Sequence, residues 1–323
     1  MTSLEHLQAT GSVICCDSAD ISAIAKYKPH SATTNFSFIL AAIEKPEYQG
    51  LLQGAIQYGK TKGTTLVEQV EEALDRLLVD FGRRILDIVP GTVSTPMEAK
   101  FAFDTEGNVK KALRLIELYK SLGVDTNRVL IKVASTWEGI QACRELSKKG
   151  VNINMTLMFS LPQAVAAAEA GAFVISPFVG RVLDWYIRFT GEAYSADNDP
   201  GVKNVKAILD YYKSFEIKTG IIAASFRSVA EIKELAGFQY LTISPEFLEE
   251  LFTSQENVPK KVDFVKYDGE RMEAQSYIDD ETKFRSAFQE NKMAVDLMTE
   301  GIQRFARDAA SIRKLLQDKI LGI

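Results

Sequence analysis

Eight times between residues 12 and 244 a short β-branched run is followed by a turn and then by apolar residues at helical spacing. The runs lie at 12–16, 31–35, 92–95, 129–133, 152–159, 173–176, 219–225 and 240–244. Runs of this kind read as strands buried on both faces, and the stretches between them as amphipathic helices. Two architectures accommodate eight such units: a closed (β/α)8 TIM barrel or an open, doubly wound α/β sheet. No glycine-rich dinucleotide turn follows the first run, which ends in Asp17, so the barrel is the expected fold. Extra helices are expected at about 46–88 and a helical tail at about 284–318 packed back on the barrel, the whole of 1–323 forming one domain.

The remaining composition mainly excludes. A formal net charge of −5, with no basic cluster, argues against nucleic acid or an anionic membrane as partner. No apolar run reaches membrane-spanning length and the start lacks an apolar signal core, so a cytoplasmic location is expected. With only His6 and His30, and with Cys15, Cys16 and Cys143 spaced for neither a disulfide framework nor a metal site, no metal and no cofactor is expected. Residues 54–61 match GxxxxGK[ST]. Their interior is helix-forming and no strand precedes them, so the match is rejected as a phosphate loop and Gly59 is read as a helix end.

Chemistry concentrates at the strand ends. Lys132 interrupts the apolar run Val129-Leu130-Ile131-Lys132-Val133. An ammonium there is desolvated, which lowers its pKa and makes the neutral amine available as a nucleophile toward a carbonyl. The competing reading is a lysine whose head leaves the strand and pairs with a carboxylate. Around it the strands carry Asp17, Thr33, Asn35, Ser94, Asn154, Thr156, Ser176 and Ser225. Asn154 and Thr156 are two apart and so share one strand face, the interior of a barrel. Arg181 and Arg227 follow the sixth and seventh runs, where barrels often bind phosphate; surface ion pairs are the plainer reading of both.

Longer stretches carry a resemblance. Ala32-Thr33-Thr34-Asn35, the run 131–140, Asn154-Met155-Thr156-Leu157, Ile175-Ser176-Pro177-Phe178-Val179-Gly180-Arg181 and Ala224-Ser225-Phe226-Arg227 closely resemble transaldolases, with coverage reaching the helix that contains Glu300-Gly301-Ile302. The resemblance implies a Schiff-base enzyme that moves a dihydroxyacetone unit between sugar phosphates, from fructose 6-phosphate or sedoheptulose 7-phosphate. By position, Lys132 is then the nucleophile and Asp17 the proton carrier. Asn35 and Asn154, helped by Ser176, would hold the substrate hydroxyls, with Thr33, Ser94 and Phe178 beside them, and Arg181, Ser225 and Arg227 would hold the phosphate. A homodimer is common in the family.

Three positions depart from that pattern. Transaldolases carry a glutamate after Val-Ser-Thr that works with the counterpart of Thr156 to position the imine-forming water, and here that residue is Pro96. Ser31 and Phe36 replace an aspartate and a proline, and all three changes are expected near the reacting end, with Glu98 two residues on as a possible substitute. Losing a positioned acid/base slows a reaction by about 10²- to 10⁴-fold. Three readings follow: a working but slow transaldolase, a diverged Schiff-base enzyme acting on another carbonyl substrate, or a non-catalytic sugar-phosphate binder.

Overall fold

A computed structural model describes residues 1–265, 267, 269–270 and 272–323. Eight parallel strands close into a barrel in chain order: β1 (Val13–Asp17), β2 (Ser31–Thr33), β3 (Val93–Pro96), β4 (Val129–Ala134), β5 (Ile153–Met158), β6 (Val174–Pro177), β7 (Gly220–Ala223) and β8 (Tyr240–Ile243). Closure is made by β8 pairing with β1, with Cys15 opposite Thr242. The chain is therefore a (β/α)8 TIM barrel, and its carboxyl-terminal rim is where such barrels place their chemistry.

Most of the core lies between strands and surrounding helices. Ile131, Val133, Ile153, Met155 and Ile175 pack outward against helices such as Trp137–Lys148 and Leu161–Glu169. Fully burying each such side chain contributes about 1.5–3 kcal/mol. A second core, containing Phe36, Leu74, Leu77, Phe81, Ile312 and Leu316, joins the helices Phe36–Ile43, Gln49–Lys62 and Leu66–Leu86 to the C-terminal helix Lys292–Leu321. That last helix crosses the carboxyl-terminal face and approaches so closely that a Cβ at Gly301 would stand 2.5 Å from Leu157 Cδ2.

Several expectations need correction. The strands at 31–35 and 219–225 are shorter than read, because Asn35 turns to cap the next helix by accepting the Phe38 N–H at 2.9 Å. Ser225 leaves its strand at φ 63°. Gly59 is inside the helix Gln49–Lys62, not at its end; a Cβ there would lie 2.3 Å from the Gln69 carbonyl oxygen, so this glycine permits two helices to touch. Arg181 belongs to the first turn of a helix, Gly180–Thr190, inserted between β6 and the helix Pro200–Ser214. Among the described residues no helix is long and apolar enough to cross a membrane, and no group of three or more His, Cys, Asp or Glu could hold a metal.

Candidate active site

Lys132 stands in the middle of β4, directly opposite Pro96 of β3 and Asn154 of β5. It is 8% exposed. Its Nζ donates a long 3.5 Å bond to the Thr34 carbonyl and joins no ion pair among the described residues. Burial pulls the ammonium's pKa down, and Arg181 pulls the same way; the nearby Asp17 carboxylate opposes both. Asp17, the last residue of β1, accepts the Thr33 hydroxyl at 2.6 Å, and Thr33 is in turn 2.6 Å from Thr242 on β8. Burial raises the Asp17 pKa, against the pull of Lys132 and the Thr33 bond.

These groups face a cleft of about 200 Å3 at the carboxyl ends of the strands, whose walls include Asp17, Asn35, Lys132, Phe178, Ser225 and Arg227. A larger depression of about 790 Å3 at the amino ends of β6 and β7, walled by Phe173, Val174 and Gly220, lacks any such convergent set. Behind Lys132 the cleft meets a small chamber of about 30 Å3, lined by Asn35, Phe36, Pro96, Thr156, Ile302 and Phe305 among others. It has room for a water molecule or two. Thr156 Oγ1 faces no hydrogen-bond partner there among the described residues.

Ser94, Asn154 and Ser176 do not line the cleft. They form one buried ladder across the barrel, with Asn154 Nδ2 donating to Ser94 Oγ at 2.9 Å and Ser176 Oγ donating to Asn154 Oδ1 at 2.7 Å. The ladder fixes the orientation of the Asn154 amide beside Lys132. Ser31 is far from the reacting end, contrary to expectation: it begins β2 and accepts the Thr92 N–H at 3.0 Å on the amino-terminal side. Glu98 is also committed elsewhere. It is buried and bound by Arg313 of the C-terminal helix at 2.5 Å, with Lys111 3.4 Å away.

At the far end of the cleft Arg181 lies between the rings of Phe178 and Phe305, 5.2 and 5.7 Å from their centroids. Burial, with Arg304 and Arg227 nearby, lowers its pKa to about 10. Arg227 is held by Asp184, whose Oδ2 it reaches at 2.6 Å, and also donates to Ser225 Oγ at 3.3 Å. The surface ion pair read for Arg227 is thus real, yet the same guanidinium borders the cleft. Three contributors escaped the sequence reading: Thr242, Arg304 and Phe305. The last two sit more than a hundred residues from Arg181, on a helix whose amphipathic pattern could not say what it covers.

A barrel with a buried, unpaired lysine and a neighbouring carboxylate defines a site built for carbonyl chemistry. A family model described as "Transaldolase/Fructose-6-phosphate aldolase" matches residues 14–316. Transaldolases of Fusarium oxysporum f. sp. lycopersici and Schizosaccharomyces pombe are 53% and 51% identical to this chain over 320 residues, 99% of each chain. That of Saccharomyces cerevisiae is 50% identical over 319 residues, 98% of this chain and 95% of its own. The chain belongs to the transaldolase family.

Proposed function

We propose that this chain is a Schiff-base transaldolase that passes a dihydroxyacetone unit between sugar phosphates, at a reduced rate because Pro96 stands where relatives position a water. The observation that carries the reading is the desolvated Lys132 amine, in no ion pair among the described residues and in one cleft with Asp17 and the arginines. Neutral Nζ adds to the ketone carbonyl of fructose 6-phosphate or sedoheptulose 7-phosphate, and loss of the carbinolamine hydroxyl as water, with one proton taken up from solvent, leaves an iminium ion. Asp17 accepts the proton of the C4 hydroxyl as the C3–C4 bond breaks. The electron pair moves into the iminium to give an enamine, and the aldehyde phosphate departs. An incoming aldose phosphate takes the enamine's carbon and recovers the proton from Asp17, and water then frees the product.

Asn35 and Phe178, which border the cleft, shape the space for the dihydroxyacetone unit, while the Ser94–Asn154–Ser176 ladder sets the polarity beneath it. Ser225, Arg227 and Arg181 hold the terminal phosphate. Water is the weak point, because Thr156 Oγ1 has no partner among the described residues and the prolyl ring offers none. Glu98, tied to Arg313, does not fill the gap. A cytoplasmic, homodimeric enzyme of the pentose phosphate pathway completes this reading.

A second reading, a Schiff-base enzyme for another carbonyl substrate, is favoured only by the apolar walls of the small chamber, Phe36, Ile302 and Phe305. Borohydride reduction with fructose 6-phosphate is expected to attach a dihydroxyacetone unit to Lys132, seen by peptide mass, and to attach nothing in Lys132→Met. Absence of an adduct with any ketose phosphate defeats the transaldolase reading. Pro96→Glu is expected to raise transaldolase turnover by about tenfold or more; turnover that stays negligible after that substitution turns the case toward the second.

A further inference from the structure

The loop between β7 and the helix Val229–Glu234 carries Ser225 and Arg227 to the cleft. Ser225 is at φ 63°, a left-handed conformation that a residue with a side chain holds only when its surroundings enforce it. The Ser225 carbonyl accepts the Gly180 N–H at 2.9 Å, and the residues that follow are held from below. Glu231 Oε2 accepts the Arg227 backbone N–H at 2.6 Å, and Ser228 Oγ caps the Glu231 N–H at 3.2 Å.

Glu231 is 1% exposed, and so is a second carboxylate beside it, Asp199. Asp199 caps the helix Pro200–Ser214, accepting the N–H groups of Gly201 at 2.6 Å and Val202 at 3.1 Å. The two carboxyl groups lie close enough to share a proton, and Glu231 Oε1 has no hydrogen-bond partner among the described residues. Two carboxylate oxygens bond only with a proton between them. Since two backbone N–H groups favour the ionised form of Asp199, the proton resides on Glu231.

We propose that Glu231 is a positioning residue for the phosphate-holding loop, and that the charge of the buried Asp199–Glu231 pair sets how tightly the loop binds a phosphate. The inference rests on the reading of Ser225 and Arg227 as the phosphate cradle. The charged groups facing the pair are Arg227 on its own loop and Asp184 on the helix Gly180–Thr190, while Lys206 and Lys261 are taken up by Glu234, one turn from Glu231. Asp184 pairs with Arg227, so the loop's own guanidinium is already partly neutralised.

Burial raises the Glu231 pKa to about 7. Below that pH the pair holds one negative charge and one shared proton, and the loop is fixed. Above it the pair carries two charges that repel in a buried place, and the added charge lies under the site of a bound dianion.

Calorimetric titration of the intact protein with inorganic phosphate from pH 6.5 to 8.5 tests this, beside steady-state kinetics with fructose 6-phosphate and erythrose 4-phosphate. Glu231→Gln keeps the acceptor for Arg227 and donates to Asp199, imitating the protonated pair at every pH. As pH rises across that range, the phosphate affinity of the wild-type protein is expected to fall about threefold or more relative to that of Glu231→Gln, with KM following and the kcat profile alike in both. The ionisation of phosphate itself is common to both proteins. Equal pH dependence in the two, or a difference confined to kcat, overturns the inference. Phosphate binding at no pH overturns the cradle reading with it. Should Glu231→Gln not fold, Asp199→Asn serves: its amide donates to an ionised Glu231, so the pair holds a single charge across the range and the extra fall of the wild-type protein is expected to vanish; a fall as steep as that of wild type overturns the inference.

Discussion

Replacing Thr156 by valine removes a hydroxyl that has no partner among the described residues. Truncating an unsatisfied buried group costs little, so stability by urea unfolding is expected to stay within about 1 kcal/mol of wild type. The kinetic effect depends on background. On the proposed reading Pro96 already breaks the water-positioning pair, so Thr156→Val is expected to slow turnover only a few-fold. In the Pro96→Glu background the same change is expected to cancel most of the restored rate, and a double-mutant cycle on kcat measures the coupling. Additive effects in that cycle would falsify the pairing of residues 96 and 156.

At the scale of elements, the C-terminal helix is the piece that turns a barrel mouth into a closed cleft. It contributes Ile302, Arg304 and Phe305, and it is fastened below the reacting end by Arg313, which reaches Glu98 at 2.5 Å and Glu71 at 2.7 Å. Lys111 joins the same acids and also pairs with Asp75. A carboxylate as buried as Glu98 must be neutralised, and that need holds helix and barrel together. Arg313→Met leaves Glu98 with lysines alone. Unfolding free energy is expected to fall by about 2–3 kcal/mol, less than a full buried-pair loss because Lys111 remains. KM for phosphorylated substrates is expected to rise, since Arg304 and Phe305 ride on the same helix.

On the scale of the whole molecule the charge distribution is uneven. The chain carries −5, yet a vestibule of about 400 Å3 outside the cleft is bordered by Arg181, Arg188, Arg227, Arg304 and Arg307 against Asp184 and Glu300. Both acids are already paired, with Arg227 and Arg188. A positive mouth on a negative protein attracts anionic substrates through water, an effect that salt screens within about 10 Å at 0.1 M. KM for fructose 6-phosphate is therefore expected to rise several-fold between about 20 and 200 mM sodium chloride, with kcat unchanged, because Lys132 and Asp17 are buried from the screening ions. A KM insensitive to salt would remove the steering role.

Short β-branched runs with polar residues at their ends were enough to specify the strand order and the rim on which Lys132, Asp17 and Asn35 meet, because strand periodicity and burial are local properties of the chain. Local pattern also exposed the residue 54–61 motif as helix. It could not separate Ser94, Asn154 and Ser176, which satisfy one another in a buried ladder, from Thr156, which has no partner among the described residues, since hydrogen-bond satisfaction depends on neighbours across strands. Nor could it show Glu98 bound to Arg313, Gly59 under Gln69, Ser31 on the opposite rim, or Glu231 beside Asp199. Those relations join residues 10 to 215 positions apart, and only the closed barrel with its last helix laid across it brings them within bonding distance.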